Sequence, residues 1–453
     1  EIRSRQSGIA KRGAPNLTGP FLESLPFELT AAQQRAWSQI ASDMEGDAPM
    51  YRLLQGDVGS GKTVVALAAM LKAIENGFQA VLMAPTELLA EQHRRTLTEL
   101  LESVEEVPAL LTGSVTGRER DRVLGGLRDG TIRLVVGTHA LFQEGVELAN
   151  PGLVVIDEQH RFGVSQRRAL RDLGGPADML VMSATPIPRS LALTLYGDLD
   201  LTVIDEMPPG RRPVRTGIRG YADRDAALEW VRTELANGRQ AYFVYPLIDE
   251  SENLDATAVT EAVAELRDRF PEFVVEMVHG RMSAADKESV MRRFARGEVG
   301  LLAATTVIEV GIDVPNATVM VIEHAERFGL SQLHQLRGRV GRGAEQSWCV
   351  AFYSGDEVPA RLRAFGASTD GFHLAREDLK LRGQGDLFGQ QQHGIPELRF
   401  ADLERDTDLL EKARIRAREI MTVDPELSSR PNRSLAREHA ERYADREALF
   451  GIG

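Results

Sequence analysis

A glycine-rich segment that ends in lysine and threonine is the first feature of this sequence with clear chemical potential. It reads Gly56-Asp-Val-Gly-Ser-Gly-Lys-Thr63, follows a short apolar run and opens a helix-like stretch. Glycines let backbone N–H groups approach phosphates, and a helix N-terminus favours negative charge. We therefore expect Lys62 to hold the β- and γ-phosphates of a nucleotide and the hydroxyl of Thr63 to ligate Mg²⁺. The alternative is a chance glycine-rich turn. The remaining expected nucleotide contacts are Gly56, Gly59, Ser60 and Gly61.

An acidic pair downstream supplies the second half of such a site. The run Leu153-Val-Val-Ile-Asp-Glu-Gln-His160 delivers Asp157 and Glu158 at the end of an apolar strand, where open α/β sheets place their ligands. Asp157 fits a residue that holds Mg²⁺, and Glu158 fits one that polarises the attacking water. An acidic pair alone is a weak signal, but with the phosphate loop it predicts nucleotide hydrolysis. His160 either packs as an ordinary polar residue or couples this pair to Ser183-Ala-Thr185.

The composition is that of a globular protein with more than one domain. The chain has 453 residues, 43% of them hydrophobic and 27% charged, which predicts two or three domains. No stretch approaches the roughly 20 apolar residues that span a bilayer, and the polar N-terminus is not a secretory signal. The chain begins without methionine, and we expect a segment upstream of Glu1. A single cysteine, Cys349, excludes an internal disulfide, fits a reducing cytoplasm and is expected in a buried strand.

The net charge of −13 does not by itself suggest nucleic acid. Net charge bears on solubility and non-specific attraction, whereas a local groove depends on where the charges lie. If the chain binds nucleic acid, its basic residues should be concentrated along one channel.

The pattern along the chain predicts two tandem α/β domains with parallel sheets and a small helical C-terminal region. We expect a linker over residues 1–25, a nucleotide-binding domain over 26–208, a second domain over 209–356 and a C-terminal region over 357–453. The boundary is placed at the turn-rich break Met207-Pro-Pro-Gly-Arg-Arg-Pro213. Short apolar runs alternate with helix-like stretches on both sides of it, which is typical of parallel sheets. The predicted strands are Tyr51–Leu54, Ala80–Ala84, Leu134–Val136, Leu153–Ile156, Met179–Met182, Ala241–Tyr245, Val274–Val278, Gly300–Ala304 and Val319–Ile322. The predicted helices are Lys62–Asn76, Leu88–Leu101, Asp225–Asn237 and Ala284–Arg296.

Further motifs in register with these two resemble the superfamily 2 helicases. Near Phe27, Leu29-Thr-Ala-Ala-Gln33 is similar to the adenine-reading motif of that superfamily, which implies nucleotide contacts for Phe27 and Gln33. The other matching segments are Ala84-Pro-Thr-Glu-Leu-Leu-Ala90, Gly137-Thr-His-Ala-Leu141, Ser183-Ala-Thr185, Thr305-Thr-Val-Ile-Glu-Val-Gly-Ile-Asp313 and Gln335-Leu-Arg-Gly-Arg-Val-Gly-Arg342. The resemblance implies two RecA-like domains that close on ATP and nucleic acid.

Two arginines of the last motif carry a catalytic expectation. Arg339 and Arg342 lie far from the phosphate loop in sequence, so they reach the γ-phosphate only if the two domains close. Such arginine fingers stabilise transition-state charge. The resemblance also places Asp313 at the nucleotide. Surface arginines in a glycine-rich loop are the alternative.

Longer segments resemble the RecG-like family of DNA translocases. The acidic motif extends through Arg167, and the Ser183 motif extends through Ala192, in the manner of RecG and the transcription-repair coupling translocases. Asp378-Leu-Lys-Leu-Arg-Gly-Gln-Gly-Asp386 and Gly389-Gln-Gln-Gln-His-Gly394 are similar to the translocation motif that these two share, which implies working roles for Arg382 and Gln392. The chain departs from the commonest family pattern at two positions of this motif, with Gln384 where proline is usual and Gln391 where arginine is usual. Ser60, Ser183 and the run Leu195–Asp200 favour the RecG-like assignment.

The resemblance implies Mg²⁺-dependent ATP hydrolysis coupled to translocation on branched duplex DNA, such as stalled forks and four-way junctions. Expected phosphate contacts are Thr86, Thr138, Arg281 and Thr306, each of which has an alternative as a cap or turn residue. We further expect a monomer in a bacterial-type cytoplasm, associated with the nucleoid and not with a membrane, and single-strand-binding protein as a candidate partner. The family's N-terminal wedge domain is not in this chain, and Glu1–Pro20 is expected to be its trailing linker.

Three alternatives remain open at this point. A transcription-repair coupling translocase shares the translocation motif, although no polymerase-binding module is visible. An RNA unwinding enzyme of the DEAD-box type is disfavoured because Asp157-Glu-Gln-His160 stands where Asp-Glu-Ala-Asp is expected. A non-catalytic, ATP-gated DNA clamp is disfavoured by intact Lys62, Glu158, Arg339 and Arg342.

Overall fold

The fold is that of a computed structural model, which describes residues 8–143, 145–158, 177–185, 199–246, 252–305, 313–386 and 406–443. The chain forms two compact units. Unit 1 comprises Glu1–Gly56, Ser60–Glu206 and Phe388–Gly453, and unit 2 comprises Asp57–Gly59 and Met207–Leu387. The tip of the phosphate loop therefore groups with unit 2, and the last helices group with unit 1.

Unit 1 is built on a sheet of seven parallel strands in the order β3-β4-β2-β5-β6-β1-β7. Its strands are β1 (Tyr51–Gly56), β2 (Gln79–Met83), β3 (Ala109–Leu111), β4 (Leu134–Gly137), β5 (Pro151–Asp157), β6 (Asp178–Ser183) and β7 (Asp200–Ile204). Its helices among the described residues are α1 (Thr18–Ser24), α2 (Ala31–Met44), α3 (Lys62–Glu75), α4 (Glu87–Leu100) and α5 (Gly117–Asp129), with α12 (Thr407–Val423) and α13 (Arg433–Tyr443) near the C-terminus.

Apolar side chains cover both faces of this sheet. The strands β2 and β4 are buried at every position, as expected for parallel strands with helices on either side. Helix α3 is buried continuously from Val64 to Ile74 and forms the centre of the core on one face. Val123 and Leu127 of α5 belong to the core on the other face. The helix that follows the phosphate loop is thus held rigidly by its own burial.

Unit 2 repeats this architecture with six parallel strands in the order β10-β11-β9-β12-β13-β8. The strands are β8 (Arg215–Gly220), β9 (Gln240–Val244), β10 (Val275–Val278), β11 (Leu301–Ala304), β12 (Ala317–Ile322) and β13 (Trp348–Tyr353). The helices are α6 (Arg224–Ala236), α7 (Glu252–Arg269), α8 (Ala284–Ala295), α9 (Leu330–Arg337), α10 (Ala360–Ala367) and α11 (Gly371–Asp386).

The predicted fold class of two parallel-sheet domains and a helical C-terminal region is confirmed. Strands and helices predicted from apolar periodicity recur with ends that differ by one or two residues. The strands that were not predicted, β3, β7 and β8, are all edge strands, which are short or only half-buried and so lack a continuous apolar run. Cys349 is buried in β13, as predicted. Within the described residues, no helix is long and apolar enough to cross a bilayer.

The segment expected to be a linker is anchored on unit 1. It contains α1, with Phe21 fully buried, and it places the ammonium group of Lys11 inside the protein. Lys11 Nζ lies 2.7 Å from Asp178 Oδ2 and 3.1 Å from the carbonyl oxygen of Ile9, and Asp178 Oδ1 accepts from the backbone N–H of Met50 at 2.7 Å. Burial raises the pKa of Asp178, while the charge of Lys11 opposes that rise. Asp178 begins β6, so this ion pair joins the N-terminal segment to the central sheet.

We predict that Lys11→Met lowers the free energy of unfolding of unit 1 by about 3–5 kcal/mol, because it leaves a buried carboxylate without its partner. The neighbouring Arg12→Met is the matched control: the Arg12–Asp47 pair is largely exposed, at 63% and 88%, and its loss should cost about 1 kcal/mol or less. Chemical denaturation of both variants measures the difference. Since loss of Lys11 raises the pKa of Asp178 further in the folded state, the deficit should shrink as pH falls and Asp178 becomes neutral. Equal effects of the two substitutions would contradict the buried anchor.

Candidate nucleotide-binding site

The phosphate loop joins the end of β1 to the start of α3. Gly59 and Gly61 have φ angles of 78° and 85°, a left-handed conformation that glycine adopts without strain. Gly61 is the N-cap of α3, and no side chain caps that helix. Ser60 is fully buried, and its Oγ has no hydrogen-bond partner within the described part of the chain. The loop therefore offers uncapped backbone donors and a buried hydroxyl, as a phosphate site requires.

Lys62 is held at the mouth of this loop. Its Nζ donates to the carbonyl oxygen of Gly56 at 2.8 Å. The packing here is close: a Cβ placed on Gly56 would lie 2.5 Å from Ser60 Oγ. Lys62 is thus folded back over the loop, with its ammonium group among the loop's backbone atoms.

Gln33 contacts the same loop from helix α2. Thr30 and Gln33 form a capping box at the start of α2, and Gln33 Nε2 donates to the carbonyl oxygen of Ser60 at 2.9 Å. Phe27 is 43% exposed and lines an open hollow of about 500 Å³. The other lining residues are Leu22, Glu23, Leu25, Pro26, Glu28, Leu29 and Gln34. The structure therefore brings Gln33 to the phosphate loop and Phe27 to a hollow that Gln34, and not Gln33, helps to line.

The acidic pair lies at the carboxyl end of β5. Asp157 is the last residue of the strand, and Glu158 follows with φ of 54°, while its N–H donates to the carbonyl oxygen of Met182 on β6 at 3.1 Å. A left-handed conformation at a residue other than glycine costs on the order of 1–3 kcal/mol and occurs preferentially at functional sites. The strain supports the catalytic expectation for Glu158.

Asp157 is bonded to a histidine that the sequence did not single out. His93 Nε2, on helix α4, lies 2.8 Å from Asp157 Oδ2, and both side chains are mostly buried. Burial acts to raise the pKa of Asp157, but the hydrogen bond and charge of His93 and the charge of Lys62 outweigh it and hold that pKa below its usual value. Asp157 is therefore an anion under the influence of Lys62 of the phosphate loop.

A second unpredicted contact joins the phosphate loop to the Ser183 motif. Gln55, the residue before Gly56, donates from Nε2 to the carbonyl oxygen of Thr185 at 3.1 Å. Ser183 Oγ accepts from the backbone N–H of Thr185 at 3.2 Å. Gln55 and Ser183 are register partners on the adjacent strands β1 and β6. His160, expected to couple to this motif, lies outside the described residues.

In unit 2, two of the residues predicted to act on the nucleotide are neighbours. Arg342 Nη1 lies 3.7 Å from Asp313 Oδ2, and Arg342 Nε donates to the carbonyl oxygen of Gly338 at 3.2 Å. Arg339 is buried, with 8% of its surface exposed. Neither arginine is a freely solvated surface residue, which was the alternative to a catalytic role.

The candidate DNA contacts occupy different local settings. Thr86 is the N-cap of α4, where its hydroxyl accepts from the N–H of Leu89 at 3.3 Å. Thr138 is 1% exposed and caps the short helix His139–Phe142. Arg281 is exposed in the turn after β10. Arg382 lies within helix α11, whereas Thr306 and Gln392 lie outside the described residues.

The donor atoms near the phosphate loop suit magnesium. Mg²⁺ prefers a hydroxyl and one or two carboxylates together with phosphate oxygens and water, and it rarely uses an all-protein cage. Thr63 lies at the start of α3 and Asp157 at the end of β5, so one hydroxyl and one carboxylate of this kind lie at the carboxyl edge of the sheet. Among the described residues, no cluster of three or more His, Cys, Asp or Glu side chains is arranged to hold a metal ion.

Three family models match consecutive parts of the chain. A DEAD/DEAH box helicase model covers residues 30–194, a helicase conserved C-terminal domain covers 226–344, and a model of the C-terminal part of domain 3 of the ATP-dependent DNA helicase RecG covers 368–442. The ATP-dependent DNA helicase RecG of Thermotoga maritima is 52% identical over 421 residues, which is 92% of this chain and 54% of that protein. The chain belongs to the RecG family. The RecG of Bacillus subtilis is 48% identical over 93% of this chain and 62% of its own length.

The solved structures agree with this membership. A RecG bound to a three-way DNA junction superposes with a TM-score of 0.78 at 48% identity, over 90% of this chain and 54% of that one. Dbp5 of S. cerevisiae, bound to RNA, matches at 17% identity with a TM-score of 0.54, which shows a common fold of two RecA-like domains and no more. This RecG-family chain therefore spans a little over half the length of the relatives it matches, and the transcription-repair and RNA-helicase alternatives are not favoured.

We predict that Gly61→Ala weakens nucleotide binding far more than it weakens folding. A Cβ at Gly61 would lie 2.2 Å from Gln33 Nε2, and φ of 85° already strains any side chain there. Gly77→Ala is the matched control, since Gly77 has φ of 84° but nothing within 4 Å of its added Cβ. Titration with a fluorescent ATP analogue should show an affinity loss for Gly61→Ala and parental affinity for Gly77→Ala. An equal loss in both variants would mean that backbone strain, and not the contact with Gln33, limits binding.

Proposed function

We propose that this chain is the motor of an ATP-dependent DNA helicase that acts on branched duplex DNA. The observation that carries the proposal is the parallel sheet of unit 1, in which β1 leads into the phosphate loop with Lys62 and β5 ends at Asp157, so that both lie at the carboxyl edge of the sheet. A phosphate cradle and an anionic carboxylate within electrostatic reach are the elements of a nucleotide-hydrolysing centre. The similarity to RecG relatives supports movement along DNA as the work that this hydrolysis drives.

In this proposal each residue has one task. Lys62 holds the β- and γ-phosphates, Thr63 and Asp157 are the protein ligands of Mg²⁺, and Glu158 orients the attacking water. Mg²⁺, when bound, neutralises the charge that develops on the phosphate oxygens. Arg339 and Arg342 stabilise the charge of the transferring phosphoryl group, with Asp313 orienting Arg342 through their 3.7 Å contact.

The choice of branched DNA rests on the relatives. The RecG that superposes on this chain was solved on a three-way DNA junction, and it extends well beyond the part that this chain matches. We therefore assign ATP turnover and movement along duplex DNA to the present chain. The part of those proteins that this chain matches is about half of their length.

DNA is gripped mainly through its phosphates, because a motor must pass over every sequence. The net charge of −13 means that the grip is local, at the candidates Thr86, Thr138, Arg281 and Thr306. Such binding weakens steeply with salt. Titration of duplex DNA at increasing salt concentrations measures how many phosphates are neutralised.

The proposal extends to the setting of the protein. It acts as a monomer on nucleoid DNA in the cytoplasm, with single-strand-binding protein as a partner at forks. Light scattering with and without fork DNA tests the monomer, and co-sedimentation tests the partner. The monomeric state and the partner follow from the proposed function, and their tests are independent of the tests of the ATP site.

ATP hydrolysis measured in parallel with single-stranded DNA, linear duplex, forked DNA and duplex RNA tests the function. The expected order of stimulation places forked DNA first and RNA last. Greatest stimulation by RNA would replace the proposal with an RNA-directed enzyme. ATP-dependent DNA binding without turnover would replace it with a non-catalytic clamp.

We predict that Lys62→Ala abolishes ATP turnover, because it removes a phosphate contact, while DNA binding remains measurable. Glu158→Gln should bind ATP but slow its hydrolysis by about 10²–10⁴-fold, the usual contribution of a positioned base. Nucleotide affinity and steady-state phosphate release are measured on both variants. Loss of ATP binding in Glu158→Gln to the degree seen in Lys62→Ala would show that Asp157 and Glu158 exchange roles.

We predict that Arg382→Ala and Gln392→Ala uncouple hydrolysis from movement. Both residues follow the arginine motif in sequence and lie in or near the glycine-rich segment that resembles the family's translocation motif. ATP and DNA affinities should stay close to those of the parent, while displacement of a third strand from a DNA triplex should fail. Unchanged displacement in both variants would make the segment a simple connector. Collapse of ATP binding would place it in the nucleotide site.

A further inference from the structure

His93 lies on the buried face of helix α4. Ala90, His93 and Leu97 lie three and four residues apart, so they share a face of the helix, and Ala90 and Leu97 are fully buried. This face packs against β4 and β3 of unit 1. His93, with 13% of its side chain exposed, interrupts the apolar stripe at the carboxyl edge of the sheet.

The partner of His93 is the carboxylate to which a metal role has been assigned. His93 Nε2 lies 2.8 Å from Asp157 Oδ2, and Asp157 is 15% exposed. An ionised carboxylate can only accept hydrogen bonds, so the ring N–H of His93 donates. With both groups removed from water, the contact is strong and restricts the rotation of the Asp157 carboxylate.

The same helix begins at a candidate DNA contact. Thr86 is the N-cap of α4, and His93 follows it by seven residues, which is two helical turns on the same side. Helix α4 is therefore a rigid rod that joins Thr86 at one end to the metal-facing carboxylate two turns further along.

We propose that His93 is a positioning residue that sets the Asp157 carboxylate for Mg²⁺ and couples the metal site to the DNA-facing start of helix α4. The inference rests on the proposed function, since it takes Asp157 as a ligand of the nucleotide's metal. Groups that orient metal ligands commonly change metal affinity by about 10–100-fold when they are removed. Displacement of α4 when DNA binds at Thr86 moves the donor on which Asp157 depends.

The alternative is that His93 is a satisfied core histidine that only stabilises unit 1. Three substitutions separate these roles. His93→Leu removes the donor and keeps an apolar side chain. His93→Gln places an amide N–H at the same distance along the side chain as Nε2, and His93→Asn places it at the distance of Nδ1, too short to reach Asp157. Arg95→Ala is the control on the same helix, because it removes only an exposed pair with Glu99.

The primary measurement is Mn²⁺ binding to the protein with ADP, followed by electron paramagnetic resonance. His93→Leu and His93→Asn should bind Mn²⁺ about 10-fold more weakly or worse. His93→Gln should recover most of the parental affinity, and Arg95→Ala should match the parent. ADP affinity in the presence of EDTA should be equal in all five proteins, because no phosphate contact is changed.

The coupling is measured as the ratio of ATPase rates with and without duplex DNA at saturating Mg²⁺. This ratio should fall in His93→Leu and recover in His93→Gln. An unchanged ratio in His93→Leu would overturn the coupling and leave the positioning role.

Three results would overturn the positioning role itself. The first is parental Mn²⁺ affinity in His93→Leu. The second is an equal loss of Mn²⁺ affinity in His93→Leu and His93→Gln, and the third is a loss of ADP affinity in EDTA; either of these two makes His93 a packing residue. Lys62→Ala in the same series separates the two levels of inference. If Lys62→Ala leaves ADP binding and turnover unchanged, the proposed nucleotide site fails, whereas a defective Lys62→Ala beside a normal His93→Leu removes only the role of His93.

Discussion

The parallel direction of every strand in unit 1 is the constraint on which the site depends. Because all strands run the same way, their carboxyl ends meet at one edge of the sheet. The phosphate loop after β1, Thr86 after β2, Asp157 at the end of β5 and Ser183 at the end of β6 therefore lie along that edge, although the chain visits them far apart. The strand order β2-β5-β6-β1 decides which of them are neighbours. The strands of unit 2 are also parallel, so their carboxyl ends likewise lie at one edge of its sheet.

The edge of the sheet is also where the structure accepts unfavourable local conformations. Glu158 is left-handed, and among the described residues the buried hydroxyl of Ser60 has no hydrogen-bond partner and the first turn of α3 has no side-chain cap. Each of these costs free energy in the folded protein. The deeply buried helix α3 and the sheet beneath it, which the Lys11–Asp178 pair ties to the N-terminal segment, hold these features in place. These features suit an anionic ligand, because phosphate oxygens would accept hydrogen bonds from the uncapped backbone N–H groups of α3 and from the Ser60 hydroxyl.

Two side-chain hydrogen bonds connect motifs that are far apart in the sequence of unit 1. Gln55 connects the phosphate loop to the Ser183 motif, and His93 connects helix α4 to Asp157. In the motor proposed above, these connections would link a change at the nucleotide to a change at nucleic acid. A rigid helix is suited to that task, because its ends cannot move independently.

The sequence by itself determined the fold class and most buried strands, and it predicted the residues of the phosphate loop and acidic pair. These follow from local rules: an apolar run predicts a buried strand, and Gly56–Thr63 is a contiguous motif whose chemistry is encoded in its own spacing. Only the tertiary structure decided the roles of Lys11, Gln55 and His93. Their partners lie 167, 130 and 64 residues away, and nothing in the neighbouring sequence marks them. The edge strands β3, β7 and β8 were not predicted from the sequence for a related reason, since a strand paired on one side needs no continuous apolar pattern. Contacts between distant segments depend on strand order, and strand order is a property of the folded chain.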